Sequence, residues 1–156
     1  MRVTVVAGPD PGHAFPAIAL CLRLLAAGDR PTLLTGVEWL DTARAAGVDA
    51  AELLGLDPDD SDDDADDGAK LHRRAARMAV LNVPVIRELD PDLVVSDVIT
   101  VCGGLAAELL GLPLQRTVKS LVLATERRND AGDVTETYGA RMRHDGHGAG
   151  PVHRER

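Results

Sequence analysis

The chain has 156 residues, is 45% hydrophobic but only 2% aromatic, and sets 25 acidic against 17 basic residues for a net charge of −8. That length supports one domain with a real core, and the scarcity of aromatic side chains argues against a base-stacking platform for single-stranded nucleic acid. The run DPDDSDDDADD at 57–67 holds 8 of the acids, which leaves 17 acids for 17 bases and no concentrated basic face for a phosphate backbone.

In chain order, RVTVVA (2–7) is compact and β-branched, the pattern of a buried strand. FPAIALCLRLLAAG (15–28) reads as a helix. Ile18, Leu22 and Leu25 share one face, Pro16 falls in the first turn and Gly28 follows the last. PTLLTG (31–36) is a second strand, VEWLDTARAAG (37–47) a short helix and VDAAELLG (48–55) a weak third strand. The acidic segment 57–68 reads as a solvated, disordered loop, because blocks of like charge repel. It lacks the central Gly and closing Glu of a calcium loop. A long helix follows over 69–89, with Pro84 expected to kink or break it. PDLVVSD (91–97) is the clearest strand of the middle region, 101–113 is a helix closed by Gly111 and Pro113, and 114–124 is the last strand.

This alternation predicts βαβ units: an α/β fold with a doubly wound parallel sheet of about five strands and helices on both faces. The right-handed crossover rule leaves few arrangements, of which the order 3-2-1-4-5 is expected. The folded domain is assigned to 1–126. From 127 the chain loses apolar periodicity and carries three of its five His, so 127–156 is expected to be a polar, disordered tail. The pair His144 and His147 has no Cys or carboxylate partner at ligand spacing, and no metal site is assigned. Cys21 and Cys102 sit in apolar helical contexts and read as buried thiols of a reducing cytosol. MRVTVVAG is too short for a signal peptide and no apolar stretch would span a bilayer, so a cytoplasmic protein without a transmembrane segment is expected.

In an open parallel sheet, ligands bind beyond the carboxyl ends of the strands, where the strand order reverses. Here that point lies between the first and fourth strands. His13 follows the first and Asp97 ends the fourth, so the topology brings two distant residues to one crevice. An Asp that accepts the Nδ1–H of a His fixes its tautomer, and the free Nε2 can then take a proton from a hydroxyl. The plainer alternative has Asp97 capping the turn before the next helix and His13 passive in a loop. The loop GPDPG has neither the G-x-G-x-x-G spacing of a dinucleotide site nor a G-K-[ST] ending, and Glu38 is poorly placed as a ribose ligand.

Gly12-His13-x-x-Pro16, the following AIALCLRLLAAGDRPTLLTG, then AAGVDAAELLGL and LDPDLVVSDVITVCGGLAAELLGLPL, resemble the N-terminal, acceptor-binding domain of GT-B glycosyltransferases. GHAFPAIAL is also similar to the acceptor domain of the transferase that makes the lipid-linked peptidoglycan precursor. The resemblance covers about residues 1–124. It implies that His13 is the general base and Asp97 its partner, with Asp10, Gly12, Phe15, Ile99 and Thr100 near the acceptor. It implies inverting transfer of a sugar from a nucleotide-sugar co-substrate to a hydroxyl of a small-molecule or lipid-like acceptor, with neither cofactor nor metal. The family's second domain, which holds most donor contacts, has no counterpart in the sequence. The resemblance therefore implies a split transferase with a donor-binding partner, a truncated or frameshifted product, or a binding module. The unpaired edge and apolar surface suggest a homo-oligomer as well.

Overall fold

The computed structural model describes residues 1–57, 59 and 67–117. They form five strands, β1 (Arg2–Val6), β2 (Arg30–Thr35), β3 (Asp49–Glu52), β4 (Leu93–Asp97) and β5 (Leu114–Thr117). The helices are α1 (Pro11–Ala26), α2 (Leu40–Ala45), α3 (Asp67–Leu89) and α4 (Val101–Leu110), with a 3-10 turn at Val37–Trp39 ahead of α2. The sheet order is β3-β2-β1-β4-β5 and every pairing is parallel, as the alternation of patterns requires. Val5 sits between Leu33 of β2 and Val95 of β4.

The period-2 alternation of the strands divides the core in two. Val3, Val5, Leu33 and Val95 pack under α1 and α2 with Ala17, Ile18, Cys21 and Ala43. Val6, Leu34 and Val94 face the other way, against Ile86 of α3 and Ala106 and Ala107 of α4. Each face is closed largely by small and aliphatic side chains, which is how a chain so poor in aromatics fills its interior.

Several boundaries differ from the sequence reading. Helix α1 begins at Pro11 rather than Phe15, because Asp10 takes an extended N-cap conformation and Pro11 supplies a preset first turn. Its buried stripe is Ala14, Ala17, Ile18 and Cys21, and continues onto Leu24; Leu22 and Leu25 stay near 40% exposed. Strand β3 is cut to four residues by the turn at Leu54 and Gly55. Helix α3 takes in Asp67 and Gly68 and is unbroken at Pro84. That proline and Val80 four residues earlier are both exposed, so water can reach the carbonyl that Pro84 leaves without a donor. Disorder of the acidic segment between 58 and 66 and of the tail at 127–156, the histidine pair, and the last strand beyond 117 all lie outside the described residues.

Helix α4 lies hard against β4. A Cβ added to Gly103 would come within 2.6 Å of Ser96 Oγ and 2.9 Å of Val6 Cβ, while Gly111 ends the helix at φ 66, where a side chain is strained. Gly103→Ala is therefore expected to destabilise the domain by about 1–3 kcal/mol through overpacking. Urea unfolding measures it, and an unchanged midpoint would show that α4 can back away freely.

Candidate active site

The carboxyl end of β1 leads directly into α1 through Ala7 to Asp10. This loop is fastened from β2 and from the turn after it. Ala7 N–H donates to Leu34 O at 3.0 Å, Thr35 Oγ1 donates to Gly8 O at 3.2 Å, and Trp39 Nε1 donates to Pro9 O. Asp10 O then accepts from His13 N–H at 2.8 Å and Ala14 N–H at 2.9 Å, closing the first turn of the helix. His13 is therefore the third residue of a pinned helix, with its side chain only 6% exposed. Phe15, two residues on, meets Trp39 edge to face with ring centroids 4.9 Å apart, which braces the indole that holds Pro9.

Across the crevice, Asp97 is the last residue of β4. Its Oδ2 pairs with His13 Nδ1, and its Oδ1 accepts the Ile99 N–H at 3.2 Å. Asp97 thus does both things that its sequence position allowed: one oxygen shapes the turn into α4 and the other orients the imidazole. Ser96 next to it donates to Thr100 O at 2.8 Å, which fixes the start of α4 against the strand. Thr100 is the N-cap of α4 by conformation, without a side-chain capping bond. His13 Nε2 has no hydrogen-bonding partner among the described residues.

His13 opens onto a cavity of about 220 Å³ at the carboxyl ends of β1 and β4. Of the residues that the resemblance places near an acceptor, Asp10, Ile99 and Thr100 line this cavity with His13, whereas Gly12 and Phe15 are not in its wall. Asp97 reaches the cavity only through His13. The opposite wall is Leu56 beyond β3 and Leu71, Arg74, Ala75 and Met78 of α3. The sequence reading missed this wall. Its signal was present, because 71, 74, 75 and 78 stand at i, i+3, i+4 and i+7 of one helical face. Among the described residues no cluster of three or more His, Cys, Asp or Glu side chains is placed to hold a metal ion. An imidazole that lines a cavity, with one nitrogen held by a carboxylate and the other without a hydrogen-bonding partner among the described residues, is equipped to accept or return one proton of a bound hydroxyl.

The chain resembles glycosyltransferases both in sequence and in fold. It is 30% identical over 134 residues to L-demethylnoviosyl transferase of Streptomyces niveus, a match covering 78% of this chain and 35% of that protein. It is 34% identical over 121 residues to the UDP-N-acetylglucosamine–N-acetylmuramyl-(pentapeptide) pyrophosphoryl-undecaprenol N-acetylglucosamine transferase of Shewanella amazonensis, covering 72% and 32% of the two chains. The solved glycosyltransferase SnogD of Streptomyces nogalater superposes with a TM-score of 0.63 at 23% identity over 77% of this chain and 33% of that one. This is the fold of a GT-B glycosyltransferase domain. The GT-B domain described here spans about a third of the length of the two curated transferases it matches. A separate short match has another character: 31 residues are 71% identical to proline–tRNA ligase of Leptothrix cholodnii, covering 20% of this chain and 5% of that enzyme. No protein-family model matches the chain.

The GT-B domain carries two free thiols, Cys21 in the α1 core and Cys102 in the wall of the cavity, and burial pushes them up to about 12 and about 11. Both are expected to resist iodoacetamide in the folded domain and to react on unfolding. The unfolded thiols ionise near 9 while the buried ones stay neutral, so the stability they contribute is full below pH 9 and is lost progressively toward pH 12. Denaturant midpoints at pH 8 and pH 10, compared with Cys21→Ala, test the sign: the variant should lose less stability between them. No helix among the described residues is long and apolar enough to cross a membrane.

Proposed function

We propose that this chain is the acceptor-binding part of an inverting glycosyltransferase that moves a sugar from a nucleotide-sugar co-substrate to an acceptor hydroxyl. The observation that carries the proposal is the His13–Asp97 pair at the mouth of a cavity, at the switch point of a GT-B sheet. In this reading His13 Nε2 removes the proton of the acceptor hydroxyl. The oxygen forms a bond to the anomeric carbon from the face opposite the leaving group, and the nucleoside diphosphate departs with the bonding pair. Asp97 stabilises the imidazolium and holds its tautomer. Asp10, Ile99 and Thr100 contact the acceptor from the wall of the cavity, and Gly12 and Phe15 act from outside it through the first turn of α1. The donor is held mainly by a second domain or a partner subunit. Neither a metal nor a resident cofactor takes part, and the reaction proceeds in the cytoplasm.

The test mixes or fuses the chain with the donor-binding domain of a related transferase and follows the glycosylated product. Product that requires this chain supports the reading; donor hydrolysis without product, over a panel of phenolic and aliphatic alcohols, overturns it. A second reading is a binding module that holds a ligand without transfer; the largely apolar wall of Leu56, Leu71, Ala75 and Met78 beside His13 favours it. Saturable binding of a hydroxylated ligand by a chain that never yields product in complementation is the outcome that belongs to it.

A further inference from the structure

The wall that α3 contributes to the cavity is apolar except at one point. Leu71, Ala75 and Met78 flank Arg74 on the same helical face, and Arg74 is the one permanently charged cation among the lining residues. It is half-buried, and its guanidinium donates to Leu56 O, the backbone just beyond β3. That bond fixes the direction of the group but does not neutralise it. No carboxylate is paired with Arg74 among the described residues, and Arg77 one turn on donates to Asp57 O instead, at 3.2 Å. The single lining carboxylate, Asp10, comes from the α1 side and is exposed to water. An oriented cation in an otherwise aliphatic wall is a recognition element for a negatively charged oxygen, because planar N–H donors already held in place lose little freedom on binding.

We propose that the ligand of this cavity is an apolar ring system that carries an anionic oxygen, a carboxylate or equivalent, recognised by Arg74, together with a hydroxyl that reaches His13. The proposal rests on the acceptor-binding reading only for the role of that hydroxyl; the preference for an anion is independent of sugar transfer. A cavity of this volume accommodates about one or two rings, below the range typical of larger drug-sized ligands. A neutral ligand of the same shape would strip water from the guanidinium and return no ion pair, which sets the sign of the discrimination.

The full chain is titrated with 6-hydroxy-2-naphthoate and, separately, with its methyl ester, using ligand fluorescence. The acid is expected to bind roughly 10- to 100-fold more tightly than the ester. Arg74→Gln should erase that ratio by weakening the acid alone, and Arg74→Lys should retain part of it. Circular dichroism and amide exchange at Leu56 report whether loss of the Arg74 bond has disturbed the wall, and the Lys variant keeps the charge if it has. Equal affinity for acid and ester, no binding of either at millimolar concentration, or an acid preference that survives Arg74→Gln each overturns the proposal. An Arg74-dependent preference in a chain that fails complementation would refute transfer and leave the anion site standing; transfer with no preference would do the reverse.

Discussion

His13→Gln, in a chain complemented with a donor-binding domain, is expected to lower sugar transfer by about 10²- to 10⁴-fold with little change in acceptor affinity. The amide is close to the imidazole in volume and still fits the wall beside Thr100, but it accepts no proton from a hydroxyl at any useful pH. Nothing else lining the cavity can substitute. Asp10 is exposed and enters from the loop, and Asp97 turns both oxygens away, one to the ring and one to Ile99 N–H. Product formation under saturating acceptor and donor measures the effect. Unimpaired transfer by this variant would remove His13 from the reaction while leaving the fold assignment untouched.

Asp97→Asn is expected to be nearly as damaging, at about 10²-fold or more, for a reason peculiar to this turn. The carboxylate serves two donors with two oxygens. An asparagine has one acceptor, and the Ile99 N–H at the start of α4 claims it, leaving the amide NH₂ against His13 Nδ1. That geometry forces the ring proton onto Nε2, the nitrogen that must be free to accept. The variant should therefore fold, bind acceptor and fail in turnover. Two-dimensional NMR of the ring nitrogens reads the tautomer directly, and a wild-type pattern with wild-type turnover would refute the argument. Asp97→Ala differs: it opens the turn as well, so its loss combines chemistry with a weaker start to α4.

Much of the scaffold was legible because it depends on local, repeating patterns. The strand order follows from alternating hydrophobic runs and the handedness of crossovers, and the same order places His13 opposite Asp97 without any three-dimensional input. What escaped was tertiary in origin. The start of α1 is set by an Asp10 backbone conformation that the polar GPDP segment does not announce, so His13 read as a loop residue when it is helical. The buried stripe of α1 runs through alanines because the helix sits close to the sheet, and Leu22 and Leu25, the stronger apolar signals, lie to one side. The resemblance set Phe15 near an acceptor, yet its ring is engaged by Trp39, twenty-four residues away. Arg74 and Met78 were hidden for the opposite reason: their helix is separated from the other site residues by the acidic run, and sequence distance concealed a shared wall.

Asn82 was missed as well, a polar residue within the apolar stretch MAVLNVPVI. It is buried, accepts the Leu54 N–H at 3.1 Å and donates to Leu54 O at 2.9 Å and to Met78 O at 2.8 Å. One side chain thereby does for Leu54 what a neighbouring strand would do, after β3 has already ended. With Arg74 on Leu56 and Arg77 on Asp57, it moors the outgoing chain to three successive turns of α3. The acidic segment therefore leaves from, and returns to, the same helix. The wall that Leu56 shares with α3 is thus tied by the Arg74 bond rather than by the segment that joins the two elements.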